Sequence, residues 1–199
     1  MMKKLLFIIP NFNSGGAEKV TINIVNLLSN KYKVTLLVFD SKGLYLKLLN
    51  ENVELINLNT KKLRNSLIKI VLLFYKLKPN MVFSSLLHIN IYLIIIKILF
   101  YWNLKIILRE SNMPVKNTQR NKMLYFVYRY MYKVSNFIIA SSNIMRDEFI
   151  NYFKTNENKI HFIPNPIIFF KNQTIKINKN FFYKNKINLF SIGRLTDQK

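Results

Sequence analysis

The chain has 199 residues, half of them hydrophobic, so it is long enough for one large domain with a sizeable core. It contains no cysteine, which excludes disulfides and thiolate metal sites, and its two histidines are too far apart in sequence to suggest a metal cage. The net charge of +22 favours an anionic partner, which leaves nucleic acid, an anionic membrane face and phosphorylated substrates as candidates.

Short apolar runs alternate along the chain with stretches of helical period. The apolar runs predict buried strands at residues 3–9, 33–39, 53–58, 81–83, 105–108, 137–140 and 159–163. The intervening segments predict helices at residues 17–28, 44–49, 63–77, 121–134 and 144–153, and a loop at residues 114–119. This alternation predicts an α/β fold with a Rossmann-like parallel sheet and helices on both faces.

Residues 89–102 are apolar enough for a hydropathy window to flag them as a membrane span. A spanning helix needs about 20 mostly apolar residues, whereas His88, Asn90 and Lys97 interrupt this stretch. We therefore expect a buried or membrane-touching crossover helix, with an integral membrane protein spanning near 89–102 as the alternative. Residues 1–10 lack the apolar length and cleavage site of a signal peptide, so export is not expected.

The composition changes after residue 169. Residues 170–186 are polar, rich in Asn and Lys and without clear period, which predicts a linker. Residues 187–192 predict one more strand, and the sequence ends at Lys199. We expect a Rossmann-like domain at residues 1–169, an interdomain linker at 170–186 and the start of an incomplete second domain at 187–199.

Two of the four glycines, Gly15 and Gly16, lie between the first predicted strand and the first predicted helix. Glycine lets backbone N–H groups approach a ligand closely, and a helix start attracts anions. The turn is therefore a candidate phosphate site, although it is also consistent with a tight turn whose Glu18 complements the helix dipole.

Four segments in this order resemble family 4 glycosyltransferases. They are Ser-Gly-Gly-Ala-Glu at residues 14–18, Ser-Ser-Leu-Leu-His-Ile-Asn at 84–90, Ile-Pro-Asn-Pro-Ile at 163–167, and Ser-Ile-Gly-Arg-Leu at 191–195 followed by Gln-Lys. The resemblance implies a GT-B fold, in which two Rossmann-like domains face a cleft, and sugar transfer with retention of configuration and without a metal or cofactor. The acidic motif of that family's second domain is absent, so we expect a truncated chain with little or no activity.

The resemblance also implies donor-side roles. Gly15 and Gly16 would let the backbone approach the donor sugar or diphosphate of a nucleotide-sugar. Arg194 and Lys199 match positions that neutralise the leaving diphosphate, which is electrostatic stabilisation of developing charge. His88 matches a polar position beside the transferred sugar and is the candidate catalytic residue; a helix-start histidine bonded to the backbone is its alternative.

On the acceptor side, the candidate residues are Glu18, Asn90, Arg109 and Glu110. Arg109 and Glu110 end a predicted strand at the edge where open α/β sheets bind ligands. Either residue is placed to contact an acceptor, but a structural ion pair between them is the favoured interpretation.

Residues 61–78 and 116–133 interleave cations with apolar or aromatic groups, and no acidic residue occurs between Leu55 and Arg109. Such segments suit an anionic inner membrane surface, where a lipid-diphosphate-linked or other glycan acceptor would lie. We therefore expect a protein peripheral on the cytoplasmic face of the inner membrane. A nucleic-acid-binding protein is the alternative, but no known recognition signature is present. The first loop also lacks Gly-x-Gly-x-x-Gly, which disfavours a nicotinamide-dependent enzyme.

Overall fold

The computed structural model of the chain describes residues 2–13, 15–60, 66–100 and 103–166, without the side chain of Arg120. The predicted linker at 170–186 and strand at 187–192 lie outside the described residues, as do Arg194 and Lys199. Residues Met1–Ile167 belong to one compact unit.

The centre of the fold is a seven-stranded sheet in which every pairing is parallel. The strands are β1 (Lys4–Ile9), β2 (Lys33–Val38), β3 (Glu54–Asn57), β4 (Met81–Ser84), β5 (Lys105–Arg109), β6 (Phe137–Ala140) and β7 (Ile160–Phe162). Their order is β3-β2-β1-β4-β5-β6-β7, so the chain changes direction across the sheet between β1 and β4. The predicted α/β fold with a Rossmann-like parallel sheet is confirmed.

Helices cover both faces of the sheet. They are α1 (Gly16–Leu28), α2 (Leu67–Leu77), α3 (Leu87–Leu99), α4 (Pro114–Arg120), α5 (Lys122–Val134) and α6 (Asn143–Asp147), with 3-10 turns at Leu44–Leu48 and Glu157–Lys159. Alternate strand residues enter different cores, since Leu6 and Ile8 pack with α2, α3, α5 and α6, whereas Phe7 and Ile9 pack with α1. The central strands β1, β2 and β4 are therefore buried on both faces, as their continuous apolar runs predicted, whereas the edge strands β3 and β7 are largely exposed.

The predicted loop at residues 114–119 is wrong, because these residues form α4. Proline is favoured at the first position of a helix, where its missing N–H costs nothing, and Pro114 begins α4 in this way. The predicted helix at 144–153 is α6 followed by a π-helical turn at Glu148–Tyr152. None of the helices in the described ranges is long and apolar enough to cross a membrane.

Candidate functional site

An open cleft of about 430 Å³ lies at the carboxyl end of the sheet, beside the point where the strand order reverses. In parallel α/β sheets, this crevice is the usual ligand-binding position. Four separate connections contribute to its walls: those after β1, β4, β5 and β7. The lining residues are Gly16, Ala17, Glu18, Val20, Leu86, Arg109, Ser111, Asn112 and Asn165.

The glycine turn forms one wall of this cleft. Gly16 is the first residue of α1, and a Cβ added there would meet no heavy atom within 4 Å. The first hydrogen bond of the helix runs from Lys19 N to Gly15 O at 3.1 Å, so the amides of residues 16–18 precede the helical ladder. A ligand group can therefore approach this helix start without steric obstruction.

Glu18 partly occupies the space over the turn. A Cβ on Gly15 would lie 1.9 Å from Glu18 Oε2, so the carboxylate folds back over the glycine backbone. The charge of this carboxylate also acts on His88, the second residue of α3, which lies outside the residues lining the cleft. Desolvation lowers the pKa of His88 and the charge of Glu18 opposes that shift, so the imidazole is neutral at neutral pH.

Gly43 supports the turn and was not singled out from the sequence. Its φ is +136°, and an added Cβ would lie 2.1 Å from the carbonyl carbon of Phe12. Two backbone bonds join the same segments, from Phe12 N to Lys42 O at 3.1 Å and from Tyr45 N to Phe12 O at 3.0 Å. The close approach that holds residues 12–13 ahead of the glycine turn therefore requires glycine.

A buried pair of hydroxyls joins the glycine helix to the connection after β4. Thr21 Oγ1 donates to Ala17 O at 2.9 Å and lies 3.1 Å from Ser85 Oγ. Since the single hydroxyl proton of Thr21 is engaged with Ala17, Ser85 is the donor in the second bond. This bond fixes α1 relative to the loop that carries Leu86 into the cleft.

Arg109 is the charged group at the base of the cleft. It is 4% exposed, and its Nη2 donates to Asn165 Oδ1 at 2.5 Å. Its Nη1 is buried and has no hydrogen-bond partner among the described residues. Burial lowers the pKa of Arg109 from its ordinary value, but a guanidinium stays protonated in proteins. The sequence singled out the Pro-Asn-Pro segment, but not the contact of Asn165 with Arg109.

The predicted ion pair between Arg109 and Glu110 is wrong. Glu110 directly follows β5, is not among the residues that line the cleft, and is buried where it accepts a 3.3 Å hydrogen bond from Asn90 Nδ2. Burial raises the pKa of Glu110 to about 8, although the Asn90 bond and the charge of Arg109 favour the ionised form. Asn90 and Glu110 are therefore not on the cleft wall, and their acceptor-side role stays a prediction.

Within the described ranges, no cluster of three or more His, Asp or Glu side chains is arranged to hold a metal ion. The cleft instead combines one carboxylate, one guanidinium, a hydroxyl and two side-chain amides, from Glu18, Arg109, Ser111, Asn112 and Asn165. Such a mixture of donors and acceptors suits a ligand that has hydroxyl groups and a negative charge.

Comparison with known proteins finds similar folds among solved structures, but no similar sequence family. No family profile matches the sequence, and no curated protein matches it either. Among solved structures, HepE from Anabaena in complex with UDP-glucose is 16% identical, covers 84% of this chain and has a TM-score of 0.65. The lipopolysaccharide outer core galactosyltransferase WaaB is 14% identical, covers 82% of this chain and has a TM-score of 0.59.

The chain has the fold of one half of a GT-B protein. Its match extends over only 44% of the HepE chain and 46% of the WaaB chain. The same fold occurs in UDP-N-acetylglucosamine 2-epimerase from Rickettsia bellii, which is 12% identical, covers 80% of this chain with 44% of its own length matched, and has a TM-score of 0.55. Fold similarity at this level of identity does not separate the two classes of enzyme.

Proposed function

We propose that the chain forms one wall of the active-site cleft of a glycosyltransferase that uses a nucleotide-sugar donor. The observation that carries the proposal is the cleft at the reversal of strand order, where the open start of α1 faces the same space as the Arg109 guanidinium. The four resembling segments favour the transferase class, and HepE and WaaB share the fold.

The charges of the cleft favour the sugar end of the donor over the diphosphate alone. The helix start and Arg109 attract negative charge, whereas the carboxylate of Glu18 repels phosphate and accepts hydrogen bonds from hydroxyl groups. We therefore assign Gly15 and Gly16 to the approach of the donor sugar. Glu18, which was predicted on the acceptor side, is assigned to the hydroxyls of that sugar instead. Nucleotide affinity of this domain by itself is expected to be weak.

The finer features of the reaction are part of the proposal. Transfer retains anomeric configuration and needs no metal or other cofactor, with His88 beside the transferred sugar, and Arg194 and Lys199 on the leaving diphosphate. The acceptor is a glycan or a lipid-diphosphate-linked sugar of bacterial surface polysaccharide synthesis, so the protein works on the cytoplasmic face of the inner membrane. The basic, partly apolar helices support this location.

A nucleotide-sugar epimerase is the second candidate, because solved epimerases share the fold. The products separate the two classes. A transferase releases free nucleoside diphosphate and forms a new glycosidic bond, whereas an epimerase changes the sugar while it stays attached to the nucleotide. When the protein is incubated with a nucleotide-sugar and a lipid-linked acceptor, isomerised nucleotide-sugar without nucleotide release would overturn the proposal.

Ligand binding to the cleft is tested by titrating labelled chain with UDP-glucose and with UDP-N-acetylglucosamine and following backbone amide resonances. We expect shifts at residues 15–18 and at Asn165. Gly16→Val should abolish them without unfolding the domain, because its side chain would enter the open cleft. Asn143→Val, at the exposed first position of α6, is the matched control and should bind as the wild type. Shifts that persist in Gly16→Val would refute the site.

A further inference from the structure

Helix α5 presents two rows of side chains to solvent. One row is apolar, with Met123, Phe126 and Tyr130 exposed by 72%, 67% and 53%. The other row is cationic and consists of Lys122, Arg129 and Lys133. Members of each row are separated by three, four or seven residues, so each row follows one side of the helix. The exposed face of α5 is therefore itself amphipathic.

The opposite face of α5 anchors the helix firmly to the domain. Tyr128 and Tyr132 are buried, and their rings lie 5.6 Å and 5.3 Å from the ring of Phe153. Tyr132 also meets Phe149 edge to face at 4.9 Å. Because these aromatic contacts fix the inner face, the outward rows are held as a rigid surface.

A basic groove of about 320 Å³ adjoins the carboxyl end of α5. The groove cations are Arg129, Lys133, Lys154 and Lys159, and no acidic side chain is among the lining residues. Lys159 Nζ is held by the carbonyls of Lys133 and Ser135 at 2.8 Å and 3.0 Å. In the described chain, none of these four cations forms an ion pair.

The groove also contains a polar atom without a partner. Thr155 lines the groove, and its Oγ1 is buried with no hydrogen-bond partner among the described residues. The oxygens of a phosphate group are acceptors that suit the surrounding cations. The chemistry of the groove is therefore that of a phosphate site.

Helix α2 offers a second exposed apolar row, but the groove beside it is not free of acidic side chains. Ile68 and Leu72 are exposed by 73% and 62%. The groove beside α2 is lined by an acid, Glu54, as well as by cations. An anion is thus less favoured beside α2 than beside α5.

We propose that the outer face of α5 docks on an anionic bilayer, with a lipid phosphate in the basic groove and the apolar row of Met123, Phe126 and Tyr130 in the interface. The inference rests on the proposed work at a membrane and names the surface that makes the contact. A soluble phosphate would use the groove but leave the apolar row without a role, whereas a phospholipid uses both.

The test measures flotation with vesicles of phosphatidylcholine, with and without phosphatidylglycerol. We expect binding only to the anionic vesicles, and a loss of about 30-fold in Arg129→Gln/Lys133→Gln, since each cation near such a surface contributes about fivefold. Phe126→Ser should also weaken binding, because it removes an apolar ring from the docking surface. The ring is 67% exposed and its ring contact is an edge-to-face one with Tyr125 at 5.4 Å, so the fold should be retained. Lys31→Gln/Lys47→Gln is the charge-matched control and should bind within about threefold of the wild type.

Several outcomes would overturn the assignment. Equal losses in the two double variants would indicate attraction by net charge alone, and a loss confined to Ile68→Ser/Leu72→Ser would move the surface to α2. Competition by free inorganic phosphate with no effect of Phe126→Ser would indicate a soluble anion. Stronger retention on duplex DNA than on anionic vesicles at equal salt would favour a nucleic-acid partner.

Nucleotide-sugar titration of the same variants separates this surface from the cleft, because shifts of the backbone amides of residues 15–18 should persist.

Discussion

Replacement of Glu110 by glutamine should make the stability of the domain much less dependent on pH. Burial raises the pKa of Glu110 from 4.5 to about 8, so the folded protein holds its proton far more tightly than the unfolded chain does. The stabilising effect of this proton is complete below pH 4.5 and is lost as the pH rises towards 8. One pKa unit corresponds to about 1.4 kcal/mol. The free energy of unfolding is therefore lower by about 3 kcal/mol at pH 7, and by about 5 kcal/mol well above pH 8, than below pH 4.5.

The assay is urea unfolding of the wild type and Glu110→Gln between pH 4 and pH 9, across the window set by this pKa shift. Glutamine keeps the shape of the side chain and cannot ionise. From pH 4 to pH 7, the free energy of unfolding of the variant should therefore rise by about 3 kcal/mol relative to that of the wild type. Glu51→Gln, which replaces an exposed carboxyl, should follow the wild type throughout. A constant difference between wild type and Glu110→Gln at every pH would refute the reasoning, because the carboxyl would then titrate alike in both states.

Two further substitutions test the supports of the cleft. Gly43→Ala should lower the free energy of unfolding by about 3 kcal/mol, because positive φ is strained for alanine and its Cβ would collide with the backbone of Phe12. Gly16→Ala, whose added carbon meets nothing, is the control, and equal effects of the two in urea would contradict the geometry. Asn165→Ala should lower the free energy of unfolding by about 1.5–3 kcal/mol, because the buried guanidinium of Arg109 loses its hydrogen-bond acceptor. An unchanged urea midpoint would show that this bond does not stabilise the domain.

The strands could be predicted closely because a strand buried on both faces needs a continuous apolar run. Residues 137–140 were predicted as a strand and form β6 with the same bounds. Helix α4 was missed because its polar residues carry no apolar period, although Pro114 is a sound start signal. The π-helical turn Glu148–Tyr152 has no sequence signal that we can identify.

The site was predicted less completely, for two different reasons. If the side-chain alternation of β5 is extended by one residue, Arg109 and Glu110 point in opposite directions, and the ion-pair prediction did not take this into account. The contact of Arg109 with Asn165 joins residues 56 positions apart, and no local pattern carries that information. The requirement for Gly43 was missed because its close approach to Phe12 exists only once the two loops are packed together.

One unsatisfied polar atom gives an independent reason to place a ligand at this end of the sheet. Of the buried side-chain atoms that have no hydrogen-bond partner among the described residues, only Arg109 Nη1 belongs to a residue that lines the cleft. A buried donor without a partner costs about 1–3 kcal/mol. Arg109 is the last residue of β5, beside the reversal of strand order. A domain stabilised only by its two apolar cores has no use for polar groups there, whereas a cleft that recognises a polar, charged ligand does.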